Sequence, residues 1–149
     1  MPEFSQRHRF TDWPNAAVPA VAAGVYAVWE GDALVYCGMS GRAFEKAVAA
    51  SKGKLGLVTR LASHASGRLS GDQFCVYVAN RLVIPSLKAE QLAKFSTGEL
   101  TLDALTKAYI NGRLEYQFAL VGSSAEAYAL ERACRNGSVF GVKPLLNPL

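Results

Sequence analysis

The spacing of apolar residues changes along the chain, and each change marks a predicted element. Gly24-Val25-Tyr26-Ala27-Val28-Trp29 and Ala33-Leu34-Val35-Tyr36-Cys37-Gly38 are short runs rich in Val, Leu and aromatics on either side of Glu30-Gly31-Asp32. This pattern predicts a β-hairpin with a three-residue loop. With Trp29 paired to Ala33 across the loop, Tyr26 stands directly opposite Tyr36 on one face. Opposed side chains lie about 5 Å apart at Cβ. Two phenols so placed can act on one bound atom or simply pack the hairpin, and these residues alone leave both open.

After a break at Met39-Ser40-Gly41, Ala43–Ser51 has helix-forming composition, with Gly53 as its C-cap. A second helix is predicted from Leu55 to Ala65, where Leu57, Val58 and Leu61 form one apolar stripe and Gly67 lies beyond the end. Between Gln73 and Ala79, Phe74, Val76 and Val78 alternate with Cys75 and Tyr77, which predicts a third strand. In the long section from Asn80 to Gly112, one helix is expected after Pro85-Ser86 as far as Phe95 and another from Leu102 to Ile110. Glu115–Val121 reads as a further strand, with Tyr116, Phe118 and Leu120 on one side. Ser123-Ser124-Ala125-Glu126 has the form of a capping box opening a helix to Arg135, with Gly137 placed to end it.

The predicted fold class is therefore α+β, a small antiparallel sheet of about three strands flanked by helices. Residues 1–23, with Arg7, His8, Arg9, Pro14 and Pro19, read as an irregular lead-in, either frayed or a basic arm, and 24–149 as a single domain. Half the residues are hydrophobic and 19% are charged, which excludes wholesale disorder. The apolar run Ala16–Trp29 is interrupted by Pro19 and Gly24, and no stretch reaches the ~20 apolar residues of a membrane span. Three cysteines without a C-x-x-C pair argue for a reducing compartment and against a disulfide framework or zinc knuckle. A cytoplasmic protein without a membrane partner is expected.

The net charge of +4 is unevenly spread. Arg42, Lys46, Lys52, Lys54, Arg60 and Arg68 face the single acid Glu45 between positions 42 and 68, whereas from Ser86 to Glu131 four basic residues meet six acidic ones. The basic stretch suits a phosphate backbone or a solvated helix face. Arg60 and His64, four residues apart, sit one helical turn from each other; a solvent-facing arginine with a histidine at the helix end is the plainer alternative. Glu131 falls in mid-helix among apolar residues, a setting that calls for a metal or a paired partner such as Arg135.

Gly24-Val25-Tyr26 followed by Tyr36-Cys37-Gly38 resembles the paired tripeptides of the GIY-YIG nuclease superfamily. Arg60 with His64, Glu131 on a later helix, and Lys143-Pro144 leading to Asn147 resemble its remaining motifs, in order along the chain. The resemblance implies a GIY-YIG-like sheet completed by the Gln73–Ala79 strand, with extra helices inserted after the hairpin and after that strand. It implies a metal-dependent endonuclease acting on nucleic acid, with DNA the expected substrate, and one Mg2+ or Mn2+ held by Glu131. Tyr26, Tyr36, Arg60, His64, Glu131 and Asn147 would form the catalytic set. Tyr26 would take the water's proton with His64 assisting, Tyr36 would orient water or phosphate, and Asn147 would hold the site together. Arg60, whose fork matches a phosphate, competes for its role with Arg42 across the Ala43–Ser51 insertion. Arg42, Lys46, Lys52, Lys54 and Arg68 would bind the nucleic-acid backbone. A catalytically weak nucleic-acid-binding or assembly module on the same fold, and a small-molecule binding protein with a chance motif match, are the other classes to be tested.

Overall fold

The computed structural model describes residues 2–41 and 55–148. The predicted helix Ala43–Ser51, with Arg42, Lys46, Lys52 and Lys54, lies outside the described residues. Strands β1 (His8–Arg9), β2 (Val21–Glu30), β3 (Ala33–Ser40) and β4 (Leu55–Gly56) are followed by helices α1 (Leu57–Ser66), α2 (Gln73–Val78), α3 (Ala89–Thr97) and α4 (Leu102–Arg113), then by β5 (Glu115–Val121) and α5 (Ser124–Arg135). The antiparallel sheet runs β1-β5-β2-β3, and β4 pairs in parallel with the start of β2. The protein is α+β, a small sheet flanked by helices.

Strand β2 lies between β5 and β3 and is covered on both faces. Ala23 to Trp29 are all buried, which is why the run is continuously apolar instead of alternating. On one face Tyr26 and Val28 meet Leu57 and Leu61 of α1 and Phe74 and Val78 of α2; on the other, Val25, Ala27 and Cys37 meet Ala127, Leu130 and Cys134 of α5. The two sides of one strand thus serve two separate cores.

The hairpin differs from expectation in its register. Glu30 pairs with Ala33, so the loop is the two residues Gly31-Asp32, and a bulge follows between Val28 and Trp29. Beyond the bulge Tyr26 faces Gly38 and Tyr36 faces Val28. The shorter loop shifts the register by one residue and the bulge shifts it by another. A shift of one would send Tyr36 to the opposite face, but a shift of two returns it, so the tyrosines share a face diagonally instead of directly.

The predicted strand over Gln73–Ala79 is a helix. The buried residues are Phe74, Cys75 and Val78, an i, i+1, i+4 set, and the Asp72 carboxylate caps the helix by accepting from the Cys75 amide at 3.0 Å. Such a cap adds about 1 kcal/mol and turns a short ambiguous apolar run toward helix. The third long strand of the sheet is β5 instead, which pairs with β2 from Trp29–Glu115 to Ala23–Val121. Of the three residues expected on one side of this strand, Tyr116 and Phe118 are buried and Leu120 is exposed.

Most of the lead-in is irregular, but it is docked rather than frayed. The Ser5 amide donates to Phe118 O at 2.7 Å, β1 pairs with β5, and Phe10 is buried. Arg7 lies over the Trp29 ring at 4.0 Å and donates to Gly31 O at 2.6 Å, so it serves the fold and not a free basic arm. The segment after α5 returns along the outer edge of β3, with Leu145 N donating to Leu34 O and Leu146 N to Val35 O. It thereby covers an edge that would otherwise be open to pairing. Among the described residues, no helix is long and apolar enough to cross a membrane.

Candidate active site

Helix α1 buries Leu57, Val58, Leu61, His64 and Ala65, so His64 belongs to the apolar stripe, one turn beyond Leu61. Its ring points into the sheet face that carries the tyrosines. The Tyr26 hydroxyl and His64 Nε2 are 2.6 Å apart, and His64 Nδ1 lies 2.7 Å from Asp72 Oδ2. Asp72 also accepts from Ser63 Oγ at 2.6 Å and, through its other oxygen, from the Cys75 amide. The Asp72 carboxylate therefore accepts a hydrogen bond from His64 Nδ1–H, which leaves Nε2 with a lone pair that accepts from the Tyr26 hydroxyl. Tyr26, His64 and Asp72 are each 2% exposed, and this buried line is satisfied at every polar atom it presents.

The pKa shifts follow from that enclosure. Burial, and next the neighbouring Tyr36, push the Tyr26 hydroxyl well above its ordinary value, while the Arg60 charge pulls it back. Burial lowers the His64 pKa; Asp72 opposes and Arg60 adds to the lowering. Burial alone would raise the Asp72 carboxyl, but the hydrogen bonds from His64, Ser63 and the Cys75 amide outweigh it and hold Asp72 at about 2. At neutral pH the line is thus a phenol, a neutral imidazole and a carboxylate.

Tyr36 is half-buried beside this line, its ring centroid 6.3 Å from those of Tyr26 and His64 and 5.1 Å from that of Phe74. Burial, then Tyr77 and Glu131, push its hydroxyl up to about 12. The two glycines of the paired tripeptides have steric reasons to be there. A Cβ at Gly38 would overlap the Tyr26 hydroxyl and ring, and one at Gly24 would overlap Ala119 O and the Leu57 side chain. Gly38 lets the Tyr26 ring cross β3 to reach His64; Gly24 lets α1 sit close enough to present it. Arg60 is exposed, one turn before His64, near enough for its charge to act on both Tyr26 and His64.

Glu131 and Asn147 stand at a neighbouring place. Glu131 is 8% exposed on α5 and pairs with Arg135 at 3.4 Å, so the surface arrangement with Arg135 exists but on a largely buried carboxylate. Burial raises the Glu131 carboxyl, with Arg135 opposing. Asn147 makes a two-way bond with Cys37: Cys37 N donates to Oδ1 and Nδ2 donates to Cys37 O, each at 2.8 Å. That clasp fixes the Lys143–Pro148 segment against the residue between Tyr36 and Gly38. Glu131, Arg135, Lys143 and Asn147 line a cavity of about 400 Å3 together with Tyr128 and Arg132.

The structure therefore brings Tyr26, Tyr36 and His64 into one cluster, sets Arg60 at its exposed side, and sets Glu131 with Asn147 in a cavity across β3. The Glu131 charge acts on both tyrosines, which links the two places electrostatically. Of the expected backbone-binding set, Arg68 is the one within the described residues, exposed just past α1. Asp72 was missed, although an Asp directly before Gln-Phe-Cys-Val is an N-cap signal. Arg132 carries no motif signal of its own, and Lys143 enters the sequence reading only as part of the Lys-Pro segment; the fold sets both on the cavity.

A divalent ion fits this chemistry in a limited form. Glu131 is a single carboxylate in a polar cavity, and no group of three or more His, Cys, Asp or Glu side chains gathers among the described residues. Such a donor suits Mg2+ or Mn2+, which keep several waters and take substrate phosphate oxygens as further ligands, better than an ion that needs a protein cage.

No family model matches the chain, and neither the curated proteins nor the solved structures give a significant match to it.

Proposed function

We propose that the protein is a metal-dependent phosphodiester hydrolase of the GIY-YIG type, acting as an endonuclease on nucleic acid and on DNA in the first place. The observation that carries this reading is the hydrogen-bonded line Tyr26–His64–Asp72, with Arg60 one helical turn before His64 and its charge acting on both Tyr26 and His64. A tyrosine alone is a poor base at neutral pH, because its phenol ordinarily ionises near 10. Here it need never become a free phenolate. As the attacking water gives a proton to the Tyr26 oxygen, Tyr26 gives its own to His64 Nε2, and the imidazolium that forms is held by Asp72. The water oxygen bonds to phosphorus, the bridging P–O bond breaks, and the departing oxygen is protonated from solvent. His64 can then return its proton through Tyr26.

Arg60 supplies a forked cation for the non-bridging oxygens, where charge builds in the transition state. Tyr36, beside the buried line and within reach of the Glu131 charge, would orient the water or phosphate. Glu131 would hold the ion, which when bound would neutralise phosphate charge. Asn147 keeps β3 and the cavity wall in register through its clasp on Cys37. A reducing, cytoplasmic setting is supported by three cysteines that are all unpaired and buried.

One observation favours the second reading, a nucleic-acid-binding module with little turnover: Tyr26 and His64 are each 2% exposed, as a satisfied polar core would be. The deciding experiment incubates the purified chain with Mn2+ and labelled single-stranded, duplex and branched DNAs. Cleavage that chelator abolishes supports the hydrolase. Salt-sensitive retention without cleavage selects the module, and neither retention nor cleavage rejects both.

A further inference from the structure

The α5 cavity carries more than Glu131. Tyr128, Glu131, Arg132 and Arg135 fall at i, i+3, i+4 and i+7, so they share one face of the helix. Tyr128 is 51% exposed, a large aromatic ring left open to solvent. Its hydroxyl accepts from Arg132 Nη1 at 3.0 Å, and the Arg132 guanidinium carbon lies 5.6 Å from the ring centroid, which ties the ring's position to that side chain. Arg135 is committed to Glu131 and to Pro148 O. Arg132 and Lys143, both exposed, have no carboxylate within ion-pair distance among the described residues. Three cations against one carboxylate leave the lining at a net charge of 3 − 1 = +2. The volume of about 400 Å3 falls within the range of sites for ligands of nucleotide size.

We propose that this cavity seats the nucleotide flanking the scissile bond, with its phosphate on Arg132 and Lys143 and its base stacked on Tyr128, and that it thereby selects an unpaired strand over a duplex. The inference rests on the reading of the protein as a nucleic-acid hydrolase and names the substrate form that the reading leaves open. Within a duplex both faces of a base are occupied by its neighbours, so an exposed protein ring gains nothing from it. In a single strand, a flap or a loop a base can turn out and stack. The ring stands one helical turn from Glu131, which puts the stacked base next to the phosphate at the metal position.

The test uses the full chain in excess chelator, so that binding is read without cleavage. Labelled DNA of one sequence, single-stranded or annealed to its complement, is titrated by fluorescence anisotropy at two ionic strengths. The single strand should bind at least about tenfold tighter than the duplex, and Tyr128→Ala should weaken only the single strand, by roughly five- to a hundredfold, the worth of one base stack. Tyr128→Phe keeps the ring and should stay within about threefold of wild type. Arg132→Gln combined with Lys143→Gln should lower the dependence of log affinity on log salt by about 1.4, two phosphate contacts on a single strand. Equal affinity for duplex and single strand, wild-type binding by Tyr128→Ala, or a free mononucleotide binding as tightly as the strand would each overturn the proposal. Addition of Mn2+ then separates it from the hydrolase reading. Tyr128-dependent binding without cleavage supports this site and rejects the hydrolase, whereas cleavage that ignores Tyr128→Ala supports the hydrolase and rejects this site.

Discussion

The buried line Tyr26–His64–Asp72 and the open cavity under α5 are built on opposite principles. The first is enclosed, and its members hold one another at 2.6–2.7 Å. Its charge states are set by burial and hydrogen bonds. The second is open, lined by exposed cations, and its one carboxylate is shared between a salt bridge and the cavity. The proposed function would use the enclosed line to move a proton and the cationic cavity to receive a polyanion. Strand β3 joins them. Tyr36 and Gly38 face the line, and Cys37 between them points to the α5 side, with its backbone clasped by Asn147. A two-residue period thus sets the buried line and the α5 cluster on the two sides of one strand.

The largest effect should come from breaking the cavity side. Glu131→Ala is expected to abolish metal-dependent cleavage while leaving nucleic-acid binding intact or stronger, because a negative charge is removed from a cationic lining. Wild-type cleavage by this variant would remove Glu131 from the chemistry. Arg135 keeps its bond to Pro148 O, so the native circular-dichroism spectrum should persist.

Breaking the enclosed side should cost less than everything but still orders of magnitude. Tyr26→Phe keeps the ring and removes the hydroxyl; a positioned acid–base group is worth roughly 10²- to 10⁴-fold, and single-turnover cleavage should fall by that amount. Asp72→Asn should fall in the same range, because an amide no longer fixes the His64 tautomer. It leaves an oxygen to cap α2. Near-normal rates in both would make the line a packing network and leave the cavity as the working part.

Stability should sharpen the contrast through pH. Asp72 has a folded pKa of about 2, below its ordinary 3.8, so its contribution is present above pH 3.8 and is lost as pH falls toward 2. His64, lowered below 6.5, binds fewer protons folded than unfolded and adds destabilisation in the same direction as pH drops through 6.5. Thermal melts should therefore lose stability steadily on acidification from about pH 6.5, and Asp72→Asn should flatten the lower part of that slope. An unchanged slope would mean that Asp72 is not held ionised by this line.

The smallest predicted effect is on the strand between the two regions. Gly38→Ala drives a methyl group into the Tyr26 hydroxyl and ring, an overpacking change worth about 1–3 kcal/mol. Denaturant midpoints should fall accordingly, and the Tyr26–His64 bond should lengthen. A stable, fully active Gly38→Ala variant would show that the ring has room to move aside.

Local pattern determined a good part of this protein. The hairpin strands, α1 with its Gly67 end, β5 over Glu115–Val121, and α5 capped by Ser123 all follow from short-range periodicity and end signals that act within a few residues. The elements that carry Tyr26, Tyr36, Arg60, His64 and Glu131 were legible for the same reason. Gln73–Val78 was not, because six apolar and polar residues fit a period of two nearly as well as 3.6. The deciding bond, the Asp72 cap, belongs to a side chain that also answers to His64. The hairpin register was decided by a bulge, and a bulge depends on what packs against both faces of the strand. The exposed flank of Arg60, the meeting of His64 with Asp72, the clasp of Asn147 on Cys37 and the cavity between α5 and Lys143–Pro148 join residues 8 to 110 positions apart. Sequence periodicity sees one turn or one strand at a time. Only closure of the chain on itself brings such groups within hydrogen-bond reach, where burial then sets their charge.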